Sequence, residues 1–410
     1  MAGTATFVYK GRDASGKVVK GRVDAMTQGA VANRLRTMGI APLTIAEASA
    51  GTGLQMEINL GSFGTKVGLK DLAVMSRQMA TMITSGLSLL RTLAILSDQT
   101  ANPELKKILT AITREVESGS SLSDATARHS RVFPPIMISL IRAGETGGFL
   151  DGALLSVAKN FEAEVKLRGT IKSALTYPVI VFIMAILAVI AMLVFIVPIF
   201  KTLFEGFGSE LPLPTQMLVW MSSIMWWFLP LLIIALIIFS IWWSRNKNTD
   251  RVRRFVDPLK LRIPVFGQLF RKIAIGRFAR NFSAMMAAGV PILQVLHIVG
   301  ETSGNWVMEE ALRKVAESVR QGRTVAEPLS QEKVFPSMVT QMISVGEDAG
   351  ALEQMLGKIA DFYDEEVNSA TEQLTAMIEP LMIAFLGVVV GGMIVALYLP
   401  IFSIFTLLGE

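Results

Sequence analysis

The chain of 410 residues has no cysteine and only two histidines. The first absence excludes disulfides, thiol catalysis and thiolate metal sites. The second leaves little imidazole chemistry: His129 and His297 fall at non-equivalent places, and neither lies beside a nucleophile elbow or a second metal ligand. Charge is scarce too. Asp, Glu, Lys and Arg make up 18% of the chain against 51% hydrophobic residues, and the mean hydropathy is +0.49, so part of the chain is dissolved in lipid. Charge is missing altogether from Val179 to Phe200, from Met217 to Trp243 and from Leu381 to Leu399. Each stretch is long enough to cross a hydrocarbon core of roughly 30 Å. Their emptiness excludes the usual buried proton relay or ion pathway.

What is present is a duplication. Phe133-Pro134, Gly144-Glu145-Thr146-Gly147-Gly148, Tyr177-Pro178 and Val197-Pro198-Ile199-Phe200 return as Phe335-Pro336, Gly346-Glu347-Asp348-Ala349-Gly350, Glu379-Pro380 and Leu399-Pro400-Ile401-Phe402, all 202 residues later. Arg77 and Gly86 return as Arg280 and Gly289, one residue out of step. A register held over so long a stretch marks two copies of one unit, each a helical domain leading into a membrane helix.

In chain order, Phe7 to Ala25 alternates around Asp13-Ala14-Ser15-Gly16 and reads as a β-hairpin. A helix from Thr27 to Met38, closed by Gly39, and a strand from Pro42 to Ala46 complete a ββαβ module over residues 1–48, for which a docking role is favoured. A glycine-rich linker occupies 49–68. Helical spacing and breakers predict six helices in a first bundle over 69–176. Asn102-Pro103-Glu104 is a helix start, combining a side-chain cap, a proline with no amide to lose and a carboxylate at the positive end of the dipole. The sixth helix, from Leu150 to Lys172, is expected to point Glu162, Glu164, Lys166 and Arg168 outward.

A transmembrane helix at 177–200, an external loop at 201–216, a second span at 217–243, a second bundle at 244–378, a third span at 379–400 and a tail at 401–410 complete the chain. Arg245, Lys247, Arg251, Arg253 and Arg254 follow the second span, whereas the loop before it carries Glu205 and Glu210 against Lys201. The positive-inside rule then places both bundles in the cytoplasm and explains the net charge of +5 without a nucleic-acid partner. The N-terminus lacks the basic and apolar regions of a signal peptide, so its module is expected to stay inside. The predicted fold is mainly α: an integral membrane protein with three transmembrane helices, two repeated cytoplasmic six-helix bundles and a small N-terminal α+β module.

The Gly144–Gly148 motif could cradle a phosphate, but it lacks the Gly-Lys-Ser/Thr ending and the preceding strand of a nucleotide loop. It reads as a folding device used twice, with glycine ending a helix at positive φ and Glu145 or Glu347 in the tight turn that follows. Gly387, Gly391 and Gly392 offer either close helix packing or a bare lipid-facing surface. Pro178, Pro198, Pro380 and Pro400 are expected to start, stop or kink helices.

These residues carry a resemblance. Arg77-Gln78-Met79-Ala80, Ser85-Gly86-Leu87-Ser88-Leu89, Ser118-Gly119-Ser120-Ser121-Leu122 and Gly144-Glu145-Thr146-Gly147-Gly148-Phe149-Leu150 resemble the first repeat of the PilC/GspF family, the polytopic platform proteins of type IV pili and type II secretion systems. Glu210-Leu211-Pro212-Leu213-Pro214-Thr215-Gln216 is similar to that family's external loop, in wording closer to the pilus branch. The resemblance implies a non-enzymatic, homo-oligomeric hub of the inner membrane. It would bind a hexameric assembly ATPase and, where present, a retraction ATPase, with prepilins, inner-membrane alignment proteins and the lipid bilayer as further partners. The alternative within the family is the secretion platform that assembles a pseudopilus.

No cofactor or metal is implied for this chain. Secretion-branch relatives have been associated with calcium near the glutamate matching Glu145, but Phe149 and a neighbourhood poor in oxygen ligands do not suit that ion. The framework positions for structure and interaction are Arg77, Gly86, Gly144, Glu145 and Gly148, with Arg280, Gly289, Gly346, Glu347 and Gly350 in the second copy. Two rivals fit less well. A repeat-built transporter wants broken helices with polar lining at the midplane, and a membrane enzyme wants a nucleophile, base or metal set.

Overall fold

The computed structural model describes residues 5–12, 18–25, 27–47, 66–205 and 212–408, which fall into two compact units divided after Phe63. The first unit is the ββαβ module: β1 (Ala5–Arg12), β2 (Val18–Ala25), α1 (Gln28–Thr37) and β3 (Ala41–Glu47), in an antiparallel sheet of order β2-β1-β3. The Thr27 hydroxyl caps α1 by accepting from the Ala30 amide, and Val31 and Leu35 bury against Phe7. The hairpin turn at Asp13–Gly16, most of the linker and Glu210-Leu211 lie outside the described residues.

The second unit opens with six helices: α2 (Leu69–Thr84), α3 (Leu89–Gln99), α4 (Pro103–Glu117), α5 (Leu122–Ala127), α6 (Pro135–Gly147) and α7 (Leu150–Ala191). Asn102 starts α4 as expected, its Oδ1 accepting from the amides of Glu104 and Leu105 at 3.0 and 3.2 Å. Leu105, Leu109 and Ile112, at helical spacing, fix the face that α4 buries. α7 then runs on through a π-helical segment (Met192–Ile196) into α8 (Val197–Glu205).

After α9 (Leu213–Asn246) and α10 (Asp250–Arg262), the six-helix order repeats as α11 (Phe266–Ala287), α12 (Ile292–Thr302), α13 (Trp306–Arg320), α14 (Ala326–Gln331), α15 (Ser337–Asp348) and α16 (Leu352–Leu408). The cap repeats as well, with Asn305 accepting from Val307 at 2.9 Å. α10 has no counterpart in the first copy. It is the inserted piece, and it docks on α11 and α13.

The four span prolines neither start nor stop a helix. Pro178 lies within α7, Pro198 within α8, and Pro380 and Pro400 within α16. Each withholds one amide from the ladder, a loss that a helix in lipid tolerates when the backbone adjusts locally. The adjustment is visible ahead of Pro198, where the preceding turn widens into the π-helix. The uninterrupted stretch Leu150–Leu203 is 54 residues long, and α16 is 57, so each extends roughly 80 Å at ~1.5 Å per residue. These two helices and α9 are long and apolar enough to cross a membrane.

One buried cluster runs through both bundles, from Leu72 and Phe133 in the first to Phe278, Phe282 and Leu356 in the second. The spans share a smaller cluster towards their far ends, where Leu193, Val197, Leu218, Met393 and Leu397 pack together. There the Thr215 hydroxyl donates to the Ala396 carbonyl. Elsewhere α9 is bare, with Trp226 and Trp227 about three-quarters exposed, as an apolar surface bathed in lipid would be. Among the described residues a side chain at Gly387, Gly391 or Gly392 would meet nothing within 4 Å, so these glycines serve no helix contact there.

Candidate functional site: the repeated framework and the joint between the repeats

Arg77 on α2 donates through Nε and Nη2 to both carboxylate oxygens of Glu162 on α7. Arg280 on α11 meets Asp364 on α16 in the same place. Each pair clamps the first helix of a bundle to the last, the helix that continues into a span. The two-toothed geometry suits the planar guanidinium. The Arg77 bond holds the Glu162 carboxyl below the usual carboxylate range, and Glu162 raises Arg77 in turn. The acidic partners were hidden in the sequence by their distance along the chain, 85 residues from Arg77 to Glu162. Their signal was the repeat itself, since Glu162 and Asp364 are 202 residues apart.

The glycine-glutamate motif ends each helix with a glycine at positive φ as expected, Gly148 and Gly350, and its first glycine adds a second device. Gly144 and Gly346 lie inside α6 and α15 rather than at their ends. A Cβ at Gly144 would stand 2.5 Å from the Ala153 Cβ and 3.0 Å from the Leu150 Cα. At Gly346 it would stand 3.0 Å from the Met355 Cβ and 3.1 Å from the Leu352 Cα. The missing side chain thus lets consecutive helices touch backbone to backbone. Positive φ belongs to Gly148 and Gly350 after these helices, and to Gly86 and Gly289 after α2 and α11.

Glu145 and Glu347 do not sit in the turn either. Glu145 accepts from the amides of Leu122 and Ser123 at 2.5 and 2.9 Å, and Glu347 from those of Val325 and Ala326 at 2.8 and 3.1 Å. Each carboxylate satisfies the free amides that start the short fourth helix of its bundle, α5 or α14. Both oxygens of Glu145 are engaged in this way. Among the described residues no group of three or more His, Asp or Glu side chains is placed to hold a metal.

Glu164 is not outward-facing. Its side chain is only 10% exposed, because α7 of the first copy packs along α11 and α16 of the second. Asn160 donates to Asn281 at 2.8 Å across this joint, and Glu164 receives Arg277 at 2.5 and 3.2 Å as well as Arg168 from its own helix. Burial pushes the Glu164 carboxyl up, but Arg277 and Arg168 outweigh it and hold it below the usual range. Nearer the spans, Leu167 and Ile171 pack on Leu269, Ile273, Val367 and Ala370. The joint is lopsided. α6 and α7 reach α11 and α12, and among the described residues no comparable contact joins α15 and α16 to α2 and α3.

Part of the basic run after the second span is used internally. Arg253 pairs with Glu309 at 2.6 Å, Arg254 lies over the Trp306 ring, and Asp257 accepts from the Trp306 amide at 2.9 Å. Together they seat α10 on the start of α13. His297 is exposed beside Glu301, 3.5 Å away.

Residues 75–198 and 278–400 both match the family model described as type II secretion system protein F, and residues 1–46 match that of its N-terminal domain. The two longer matches cover the duplicated unit in its two copies. The type IV pilus assembly protein PilC of Myxococcus xanthus is 44% identical over 98% of this chain and 95% of its own, and that of Thermus thermophilus 43% identical over 97% and 98%. The type II secretion system protein F of Vibrio cholerae is 30% identical over 99% and 100%. With two copies of the matched unit, an N-terminal module of the matched kind and relatives aligned from end to end, this integral membrane protein belongs to the type II secretion system protein F family.

Proposed function

We propose that the chain is an inner-membrane platform of a type IV pilus machine, with both bundles in the cytoplasm gripping a hexameric assembly ATPase and, where one is present, a retraction ATPase. Its spans face the prepilins that enter the filament, and inner-membrane alignment proteins hold it in register. One observation carries the reading: α7 and α16 pass without a break from a bundle into a span. A force applied to a bundle is therefore delivered to the membrane by a continuous rod, with no loop to absorb it. The reading makes no use of catalysis, and the basic flank Arg245–Arg254 supports the orientation. Higher identity to the PilC proteins favours the pilus over the pseudopilus of the secretion branch.

The test is to interrupt the rod while sparing its ends. Two glycines inserted after Lys172 leave the buried part of the bundle and the charge-free span intact, and glycine is the residue that best loosens a helix short of proline. ATPase co-purification should persist while piliation is lost. Normal piliation with the insertion in place would remove the mechanical role assigned to α7.

A further inference from the structure

The lopsided joint leaves one face of each repeat unused, and the duplication says what belongs there. On the second repeat the covered face is a groove between α11 and α16, where Ile273, Arg277, Asn281 and Val367 receive α7. The corresponding positions on the first repeat are Lys70, Val74, Gln78 and Val165. They line an open groove between α2 and α7, largely apolar and flanked by Lys166. Val74 is half exposed there. The covering side shows the reverse. The positions on the second repeat that correspond to Ala143 and Asn160 are Val345 and Phe362, 57% and 43% exposed. A large apolar side chain standing in water on each of two neighbouring helices is an unspent contact surface. Asp361 and Glu365, both exposed, flank Phe362, opposite in sign to Lys70 and Lys166.

We propose that the occupant of the α2/α7 groove is α16 of a second copy of this chain, docked as α7 docks on α11 and α16 within one chain. Phe362 takes the place of Asn160 and meets Gln78, and Glu365 approaches the lysines at the rim. The contact is groove to helix, and each copy holds one groove and one uncovered helix. Two copies can satisfy each other reciprocally, which closes the assembly instead of propagating it.

The natural lack of cysteine makes the test direct, because introduced thiols are the only ones in the chain. Full-length copies carrying Gln78→Cys and differently tagged copies carrying Phe362→Cys are co-expressed and treated in membranes with a short bis-maleimide. Asn160→Cys with Asn281→Cys in one chain is the positive control for reach. Gln78→Cys with Glu317→Cys, an exposed position on α13, is the background. The 78–362 combination should give a covalent dimer at several times the background yield. Lys70→Glu with Lys166→Glu should lower that yield several-fold, and Asp361→Lys with Glu365→Lys in the partner copy should restore it. The proposal is overturned if the control links and the 78–362 combination does not. Linkage of position 78 only to position 78 of another copy or to a cysteine of a different protein would overturn it equally.

Discussion

At the level of single residues, the paired glycines make a graded prediction. A methyl group at Gly144 is driven into the Ala153 Cβ and the Leu150 backbone, neither of which can swing away. At Gly346 the nearest atom is the Met355 Cγ, at 2.9 Å, on a side chain that can partly turn aside. Gly144→Ala should therefore cost about 1–3 kcal/mol and Gly346→Ala less, as overpacking costs do. Apparent melting midpoints in detergent would check it, and an equal or reversed order would count against the close-approach role. Glu164 makes a second prediction. Its carboxyl is depressed, so the stability it contributes is complete above the ordinary carboxylate pKa of about 4.3 and is lost as pH falls through the lower folded value. Glu164→Gln leaves Arg277 half-buried without its charged partner and should cost about 1–3 kcal/mol near neutrality. The gap to the natural protein should close as the pH is taken to 4 and below. Sequence patterning could not expose Glu164, because three charged neighbours at Glu162, Lys166 and Arg168 make it look like one more solvated position. Its burial is imposed by a second helix that lies more than a hundred residues away.

Among the elements, those fixed by local chemistry were the readable ones. The Asn102-Pro103 start, the glycine stops and the apolar spacing of α4 placed helices where the chain forms them. The short helix α5 is different. Six residues long, it depends on a carboxylate from the next helix for its free amides. Glu145→Gln, which keeps an acceptor oxygen but loses the charge, should cost less than Glu145→Ala, which orphans two amides and should cost about 1–2 kcal/mol, in the range of a lost cap. Hydrogen exchange at Leu122 and Ser123 is the direct readout, and unchanged protection in the alanine variant would show that the cap is dispensable. α10 was illegible for another reason. Its arginines matched a membrane-flank pattern, and nothing local announced that Arg253 and Arg254 would be drawn to Glu309 and Trp306.

For the whole molecule, the duplication was plain in the spacing of landmarks, but it described two separate lobes where the structure builds one continuous core. Repeats reveal what is the same in each copy; the joint is made from what differs, Asn160 against Phe362 and Arg277 against Val74. The second span is tied in differently from the other two. α9 ends at Asn246 and the chain turns before α10 begins at Asp250, so this helix is hinged where it leaves the bundle, and its far end is fastened to α16 through Thr215 and Ala396. A displacement of the paired bundles consequently reaches the middle crossing by a detour, out along the first and third crossings, over their shared apolar cluster and the hydroxyl-to-carbonyl latch, and back inward. The middle crossing answers to its neighbours before it answers to the lobe from which it hangs.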